Sequence, residues 1–125
     1  MIIYCDMDMV LCNFLKGALD VTGEPFPDKT GKLSKDEKKA IISSKKDFWD
    51  TLEWMPDGKK LWAHITKGGA DVRILSAFAE WDSNCKRGKR IWIARNLKPK
   101  PSKIHLVRRE QKKDYANDDA LLIDD

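Results

Sequence analysis

Long apolar runs are absent from this 125-residue sequence, whose stretches of consecutive apolar side chains span only a few residues. A transmembrane helix needs about 20 such residues, so none is predicted. The apolar opening from Met1 to Cys5 stops at Asp6, which is too early for the core of a secretory signal peptide. We therefore expect a soluble, cytoplasmic protein.

Cysteine is scarce, and its spacing excludes two classes of small protein. The three residues, Cys5, Cys12 and Cys85, form an odd number and contain no CxxC pair. Neither a disulfide framework nor a zinc ribbon is predicted from them. We interpret Cys5 and Cys12 as buried structural thiols of a reduced protein rather than as nucleophiles.

Acidic residues are almost missing from residues 86–113. This basic tract holds twelve of the 24 Lys and Arg residues but only Glu110 of the 20 acids. The formal net charge of +4 therefore averages over a basic tract and an acidic remainder. Two interpretations stay open, a solvated face or a surface that attracts a polyanion such as nucleic acid.

Short apolar segments alternate with helical patterns along the chain. Strands are predicted at 2–5, 72–75, 104–107 and 120–123. Helical patterns cover 10–19 before Gly23, the stretch after a Ser34–Glu37 capping box, and 91–97 before Pro99. Two further helices are predicted, one that Asp57 caps and that ends near Gly68-Gly69, and a short polar one through Tyr115 and Ala116. The alternation predicts an α/β fold with a Rossmann-like parallel sheet, and the length predicts one domain.

Residues suited to metal or phosphate chemistry follow three of the four predicted strands. Asp6 and Asp8 come after the first strand, Ser76 after the second, and Asp124 and Asp125 after the last. In open parallel sheets, sites form beyond the carboxyl ends of the strands, so these groups are expected to converge. Carboxylates that converge without His or Cys favour a hard cation, and we predict Mg²⁺. The competing interpretation is that these aspartates are ordinary loop acids.

The same residue types suggest a chemistry. A carboxylate beside Mg²⁺ can attack phosphorus to give an aspartyl phosphate, and a second carboxylate two residues on can protonate the leaving oxygen. Ser76 and a lysine from the following helix would donate to the phosphoryl oxygens, over which negative charge is spread. The pattern therefore favours phosphoryl transfer.

Four motifs in order carry a resemblance that spans the chain. They are Asp6-Met7-Asp8-Met9-Val10, Ile74-Leu75-Ser76-Ala77, Lys89-Arg90-Ile91-Trp92 and Leu122-Ile123-Asp124-Asp125. In this order they resemble the haloacid dehalogenase (HAD) superfamily of phosphohydrolases. Within it, the chain looks most like the 5′(3′)-deoxyribonucleotidase family and its small bacterial and phage-type members, with further matches at Phe14, Phe48-Trp49 and Met55-Pro56.

The resemblance implies catalytic and metal-binding roles for the four aspartates. Asp6 would be the nucleophile and a Mg²⁺ ligand. Asp8 would be the general acid and base, and its backbone carbonyl would also bind the metal. Asp124 would complete the metal site, and Asp125 would support it.

Phosphate binding is implied for the second and third motifs. Ser76 and Ala77 would bind the transferring phosphoryl group. Lys89 would pair with that group and orient Asp6, with Lys86 as a nearby alternative. The expected activity is Mg²⁺-dependent hydrolysis of (deoxy)ribonucleoside monophosphates. Two alternatives remain, a phosphatase for nucleic-acid ends that uses the basic tract, and a catalytically idle nucleic-acid or protein-binding module on the same scaffold.

The resemblance also implies an architecture. The HAD core would comprise about 1–12 and 68–125, and about 13–67 would form a small helical cap inserted after the first strand. Phe48 and Trp49 of this cap would face the substrate. Met9 departs from the family pattern, which usually has a small residue there, often Gly, so its side chain is expected to narrow the site. Family members usually continue beyond the final aspartate pair, whereas this sequence ends at Asp125.

Overall fold

A computed structural model describes residues 1–27 and 31–125 and places four strands among several helices. The strands are β1 (Ile2–Cys5), β2 (Asp71–Ala77), β3 (Ile104–Val107) and β4 (Ala120–Ile123). The α-helices are α1 (Phe14–Thr22), α2 (Lys35–Ser44), α3 (Gly58–Lys67) and α4 (Cys85–Asn96), and a 3₁₀ helix (Arg109–Tyr115) lies between β3 and β4. None of the helices in the described part of the chain is long and apolar enough to cross a membrane.

The four strands form one parallel sheet in the order β3-β2-β1-β4. The first strand is central, because Ile2 is in register with Asp71 on one side and with Ala120 on the other. All strands point the same way, so their carboxyl ends meet at one edge of the sheet. The predicted α/β class with a parallel sheet is confirmed.

The hydrophobic core lies between the sheet and the helices. Residues of β1 and β2 are buried in a near-continuous run, as is usual for parallel strands covered on both faces. Trp62 of α3 and Trp92 of α4 are also buried, and their indole nitrogens donate to the carbonyls of Pro99 and Leu52. Each large apolar side chain buried in this way contributes about 1.5–3 kcal/mol, so the helices are held against the sheet mainly by their apolar faces.

The first helix begins later than the apolar spacing predicts. Val10 and Leu11 lie in a tight turn, because their N–H groups and that of Cys12 all donate to the carbonyl of Met7 at 2.8–3.1 Å. The predicted helix over 10–19 is therefore wrong at its start. Asn13 caps the actual helix by accepting from the N–H of Lys16, and the helix ends, as predicted, at a left-handed Gly23.

Of the caps predicted for the next two helices, the one on α2 is present and the one on α3 is not. Ser34 Oγ accepts from the N–H of Glu37 at 3.1 Å, and the Glu37 carboxylate accepts from the N–H of Ser34 at 3.0 Å, so the capping box of α2 is confirmed. Asp57 stands directly before α3, but its side chain makes no capping hydrogen bond. The prediction of Asp57 as a side-chain cap is therefore wrong.

Candidate active site at the carboxyl edge of the sheet

A cleft of about 910 Å³ opens at the carboxyl ends of β1, β2 and β4. The strand ends contribute Asp6, Asp8, Ala77, Asp124 and Asp125 to its lining. Five aromatic side chains also line it, namely Phe14, Phe26, Trp49, Phe78 and Trp81. The cleft therefore combines a carboxylate-rich region with an aromatic wall.

Strand pairing brings the first and last aspartates together. The N–H of Asp6 donates to the carbonyl of Ile123 at 2.9 Å, which continues the β1–β4 ladder one residue beyond β1. Asp6 is thereby placed beside Asp124. One carboxylate oxygen from each of Asp6, Asp124 and Asp125 lies within 4.8 Å of the others, so these three residues form an acidic cluster. The carboxylate of Asp8 is not a member of this cluster.

Lys112 is a site residue that sequence reasoning missed. Its Nζ lies 3.2 Å from Asp6 Oδ2 and 2.9 Å from Asp124 Oδ2, so one ammonium bridges both carboxylates. The 3₁₀ helix carries Lys112 into the cleft immediately before the chain turns into β4. The sequence signal was weak because this lysine is one of twelve basic residues in the tract 86–113.

Burial and hydrogen bonding give Asp6 and Asp124 very different pKa values. Burial, followed by the hydrogen bond with Asp124, raises the pKa of Asp6 to about 6, although Lys112 and the N–H of Met7 oppose the rise. The same hydrogen bond with Asp6, helped by Lys112, lowers the pKa of Asp124 to about 2. Burial would lower the pKa of Lys112, but the hydrogen bond to Asp124 and the charge of Asp6 raise it. Lys112 therefore stays charged within the acidic cluster.

Lys89 forms its ion pair with Asp8 rather than with the predicted Asp6. Its Nζ donates to Ser76 Oγ at 2.8 Å, to the carbonyl of Ala77 at 2.8 Å and to Asp8 Oδ2 at 3.0 Å. The prediction that Lys89 orients Asp6 is corrected, because three acceptors at the end of β2 and on Asp8 occupy its ammonium and Lys112 contacts Asp6 instead. Lys89 and Ser76 are both fully buried and lie beneath the cleft.

Asp8 is anchored by one oxygen only. Its Oδ2 accepts from Lys89, whereas its buried Oδ1 has no hydrogen-bond partner among residues 1–27 and 31–125. Buried polar atoms without a partner are rare, and each one calls for an explanation, such as a catalytic role or a bound ion. The neighbouring Met9 also lines the cleft, and it adopts a left-handed backbone with φ +64°. This backbone conformation is strained for a residue with a Cβ atom, whereas glycine adopts it readily.

The two cap aromatics occupy different positions. Trp49 lines the cleft, although it is almost fully buried, and its Nε1 donates to the buried Asp82 at 2.7 Å. Phe48 is packed in the core, where its ring lies 5.0 Å from that of Trp49 and 5.9 Å from that of Phe14, and it does not line the cleft. Only Trp49 of this pair is placed to contact a ligand.

The basic tract 86–113 does not form one face. Arg109, Lys112 and Lys113 line the cleft. Arg95 pairs with Asp50 on the outside of α4. Lys86, the alternative to Lys89, instead lies over the ring of Phe78 at 4.2 Å. The charged side chains of the basic tract therefore lie in several different parts of the structure, and only some of them border the candidate site.

The thiols near the site are buried and free, as expected for Cys5 and Cys12. Burial raises the pKa of Cys5 to about 12 and that of Cys85 to about 11, and it also raises the pKa of Cys12. A thiol with a raised pKa carries almost no thiolate at neutral pH. None of these three thiols is therefore suited to act as a nucleophile at neutral pH.

Comparison with known proteins assigns no family to this chain. No protein-family model matches it, and no curated protein matches it in sequence. The chemistry of the cleft is consequently inferred from its own residues: an acidic cluster bridged by Lys112, a separately held Asp8, and an aromatic wall.

Proposed function

We propose that this protein is a Mg²⁺-dependent phosphatase of the HAD type that hydrolyses (deoxy)ribonucleoside monophosphates. The observation that carries the proposal is that Asp6, Asp124 and Asp125 meet in one cleft. Asp8 lines the same cleft and forms a separate ion pair with Lys89. Two carboxylates with separate environments can take separate roles, one as nucleophile and one as acid and base. This arrangement supports stepwise phosphoryl transfer.

The donor set of the acidic cluster fits a hard divalent cation. All three members offer carboxylate oxygen, and neither His nor Cys belongs to the group. Asp6, Asp124 and Asp125 would hold Mg²⁺, with the backbone carbonyl of Asp8 as a further ligand. The cation would supply positive charge beside the phosphoryl oxygens.

The chain's own residues provide the two steps. A carboxylate oxygen of Asp6 attacks phosphorus, the bond to the ester oxygen breaks, and Asp8 donates a proton to the leaving alkoxide. Asp8 then removes a proton from water, whose oxygen attacks the phosphorus of the aspartyl phosphate and releases inorganic phosphate and Asp6. Lys112 is placed to pair with the phosphoryl oxygens, as is the end of β2 at Ala77. Lys89 and Ser76 position Asp8 from below.

Substrate choice would lie with the residues between β1 and β2. We assign residues 1–12 and 68–125 to a HAD-like core and 13–67 to the cap, whose α1 and α2 pack together. Phe14 and Trp49 stack at 5.4 Å with an interplanar angle of 20°, and both line the cleft. An aromatic wall of this kind suits a nucleobase. The aromatic wall favours a nucleotide over a small sugar phosphate.

Phosphate release tests the proposed activity directly. Purified protein is incubated with p-nitrophenyl phosphate and with deoxyribonucleoside monophosphates, in Mg²⁺ and in EDTA. We expect turnover only with Mg²⁺, and a loss of at least about a thousandfold in Asp6→Asn because the nucleophile is gone. Mass spectrometry after acid quenching should find one phosphoryl group on the wild-type chain and none on Asp6→Asn.

Asp57→Asn is the matched control, because Asp57 is exposed and its side chain makes no capping hydrogen bond. It should retain wild-type turnover. Circular dichroism confirms that Asp6→Asn is folded before its activity is compared. Absence of phosphate release from every substrate by the folded, Mg²⁺-loaded wild type would reject the phosphatase and favour a binding module.

A further inference from the structure

Two lysines of α2 border the cleft away from its acidic cluster. Lys35 and Lys39 are four residues apart, so they lie on the same face of the helix, and both line the cleft. The Nζ of Lys39 lies 5.6 Å from the ring centroid of Trp81, and the Nζ of Lys35 lies 6.0 Å from that of Phe26. These four side chains form a cationic and aromatic rim, which we call the α2 rim.

The lysines of the α2 rim have no acidic partner among the residues that the structure describes. Lys38 of the same helix differs, because it is buried and contacts the carbonyl of Pro25 and the carboxylate of Glu24. Lys38 anchors α2, whereas Lys35 and Lys39 line the cleft without an ion pair in the part of the chain that the structure describes.

An aromatic path joins the α2 rim to the catalytic end of the cleft. The Nζ of Lys89 lies 5.6 Å from the ring centroid of Trp49, the rings of Trp49 and Trp81 are 6.1 Å apart, and Lys39 lies 5.6 Å beyond Trp81. The ring of Phe26 stacks on that of Trp81 at 6.4 Å with an interplanar angle of 20°. A nucleoside lying along this path would have aromatic contact between the lysines of the α2 rim and the end of the cleft that holds the aspartates.

We propose that Lys35 and Lys39 bind a second phosphate of the substrate, separated by about one nucleoside from the phosphate that reacts at Asp6. This inference rests on the proposed phosphatase function and narrows its substrate class. A nucleoside monophosphate has a single phosphate, so it leaves the lysines of the α2 rim without an anion. A substrate with phosphates on both sides of a nucleoside supplies an anion to each end of the aromatic path.

Two sources share this chemistry, a nucleoside 3′,5′-bisphosphate and the phosphorylated end of a short single strand. The cleft volume of about 910 Å³ lies near the top of the usual range for small-molecule sites, about 300–1,000 Å³, so either source can be accommodated. Arg109 and Lys113 on the 3₁₀ helix also line the cleft, which adds positive charge for a polyanionic substrate.

The test compares three substrates that differ in their second phosphate. The kcat/KM values for thymidine 5′-monophosphate, thymidine 3′,5′-bisphosphate and 5′-phosphorylated dithymidylate are measured with Mg²⁺. We expect the two-phosphate substrates to be preferred by about three- to tenfold, as two partly exposed ion pairs would give. The preference should shrink at high ionic strength because exposed charges are screened.

The double variant Lys35→Gln, Lys39→Gln should abolish that preference. Its matched control is Lys46→Gln, Lys60→Gln, which removes the same charge from two exposed lysines that do not line the cleft. The control should keep the wild-type ratio of the three kcat/KM values. A larger effect on the bisphosphate identifies a free nucleotide as the source, and a larger effect on the dinucleotide identifies a strand end.

Equal kcat/KM values for the three substrates, or a preference that survives in the Lys35, Lys39 double variant, would overturn the second-phosphate site while leaving the phosphatase intact. Failure of the phosphatase itself is recognised separately, by the absence of p-nitrophenyl phosphate hydrolysis. In that event, a fluorescence titration of the wild type and both double variants with 5′-phosphorylated dithymidylate still decides the role of the α2 rim. Equal dissociation constants for the wild type and the Lys35, Lys39 double variant would reject a role of the α2 rim in phosphate binding.

Discussion

The Nζ of Lys112 lies 3.2 Å from Oδ2 of Asp6, in a half-buried position beyond the carboxyl ends of the neighbouring strands β1 and β4. The same ammonium contacts Asp124, so the protein carries its own cation within the acidic cluster. Carboxylates brought this close repel each other unless positive charge lies among them. Lys112 therefore stabilises the cluster in the absence of any other cation.

Replacing Lys112 separates this structural role from metal binding. We expect Lys112→Gln to lower the melting temperature of the metal-free protein, because the loss of hydrogen bonds between charged groups costs about 1.5–3 kcal/mol. The rise in melting temperature on adding Mg²⁺ should become larger than in the wild type, since the cation then relieves more repulsion. Thermal unfolding with and without Mg²⁺ measures both effects.

The charge-matched control for this prediction is Lys113→Gln. Lys113 is exposed, lines the cleft, and has no ion pair in the part of the chain that the structure describes. Its variant should show the wild-type Mg²⁺ effect. If Lys112→Gln and Lys113→Gln respond equally to Mg²⁺, Lys112 is not the resident cation of the cluster.

Strain at Met9 predicts an order of stability between two substitutions. Met9 has φ +64°, a conformation that costs a residue with a Cβ roughly 1–2 kcal/mol but costs glycine little. Met9→Gly and Met9→Ala both remove the side chain, but only glycine removes the strain. We therefore expect Met9→Gly to have the higher free energy of unfolding, by roughly 1 kcal/mol in urea denaturation. Equal stability of the two variants would show that the turn is not strained.

Close packing of α4 makes Gly88 sensitive to a single added carbon. A Cβ atom at Gly88 would lie 2.5 Å from the Cβ of Trp49 and 3.3 Å from the backbone nitrogen of Asp50. Although alanine favours helices, we expect Gly88→Ala to destabilise the protein by about 1–3 kcal/mol because Trp49 must move. Gly68→Ala is the control, since nothing lies within 4 Å of a Cβ there, and it should be neutral. Denaturant unfolding compares them, and a neutral Gly88→Ala would contradict the contact.

The environment of His105 predicts a pH dependence of stability. Burial, together with the charges of Arg73 and Lys103, lowers the pKa of His105 below its ordinary value of 6.5, and its Nε2 has no hydrogen-bond partner among the described residues. The unfolded chain therefore binds this proton more readily than the folded protein. The contribution of His105 to the free energy of unfolding should be greatest above pH 6.5 and should fall as the pH drops below it.

His105→Gln should remove this part of the pH dependence. Urea unfolding at about pH 7.5 and about pH 5.5 measures the loss in each protein, and the loss should be smaller in the variant. His64→Gln is the control, because His64 is exposed on α3. An identical pH dependence in wild type and His105→Gln would contradict the prediction.

Local patterns in the sequence predicted the sheet well. Each strand is a short run of apolar, often β-branched residues bounded by polar or turn-forming ones, and such runs are recognisable without tertiary information. The convergence of Asp6 and Asp124 followed from parallel pairing alone, because a parallel sheet collects the carboxyl ends of its strands. The broad location of the site was therefore accessible from the sequence.

Features that depend on contacts between residues far apart in the chain could not be predicted from local sequence patterns. Val10 and Leu11 have helical spacing, but the carbonyl of Met7 captures their N–H groups and forms a turn. Lys112 was hidden among many basic residues, since its partner Asp6 lies more than a hundred positions away in the chain. Phe48 and Trp49 are adjacent and both aromatic, yet only the packed structure distinguishes the core residue from the cleft residue.

The central position of β1 has a consequence for how the protein acquires its site. β1 pairs with β4, which lies at the other end of the chain, and closing so long a loop is entropically costly and slow. Asp6 and Asp124 meet only after that closure, so an intermediate that contains β1, β2 and β3 alone has no acidic cluster. The cation proposed for this cluster would therefore bind only molecules in which β1 and β4 are already paired, and its binding would favour that pairing.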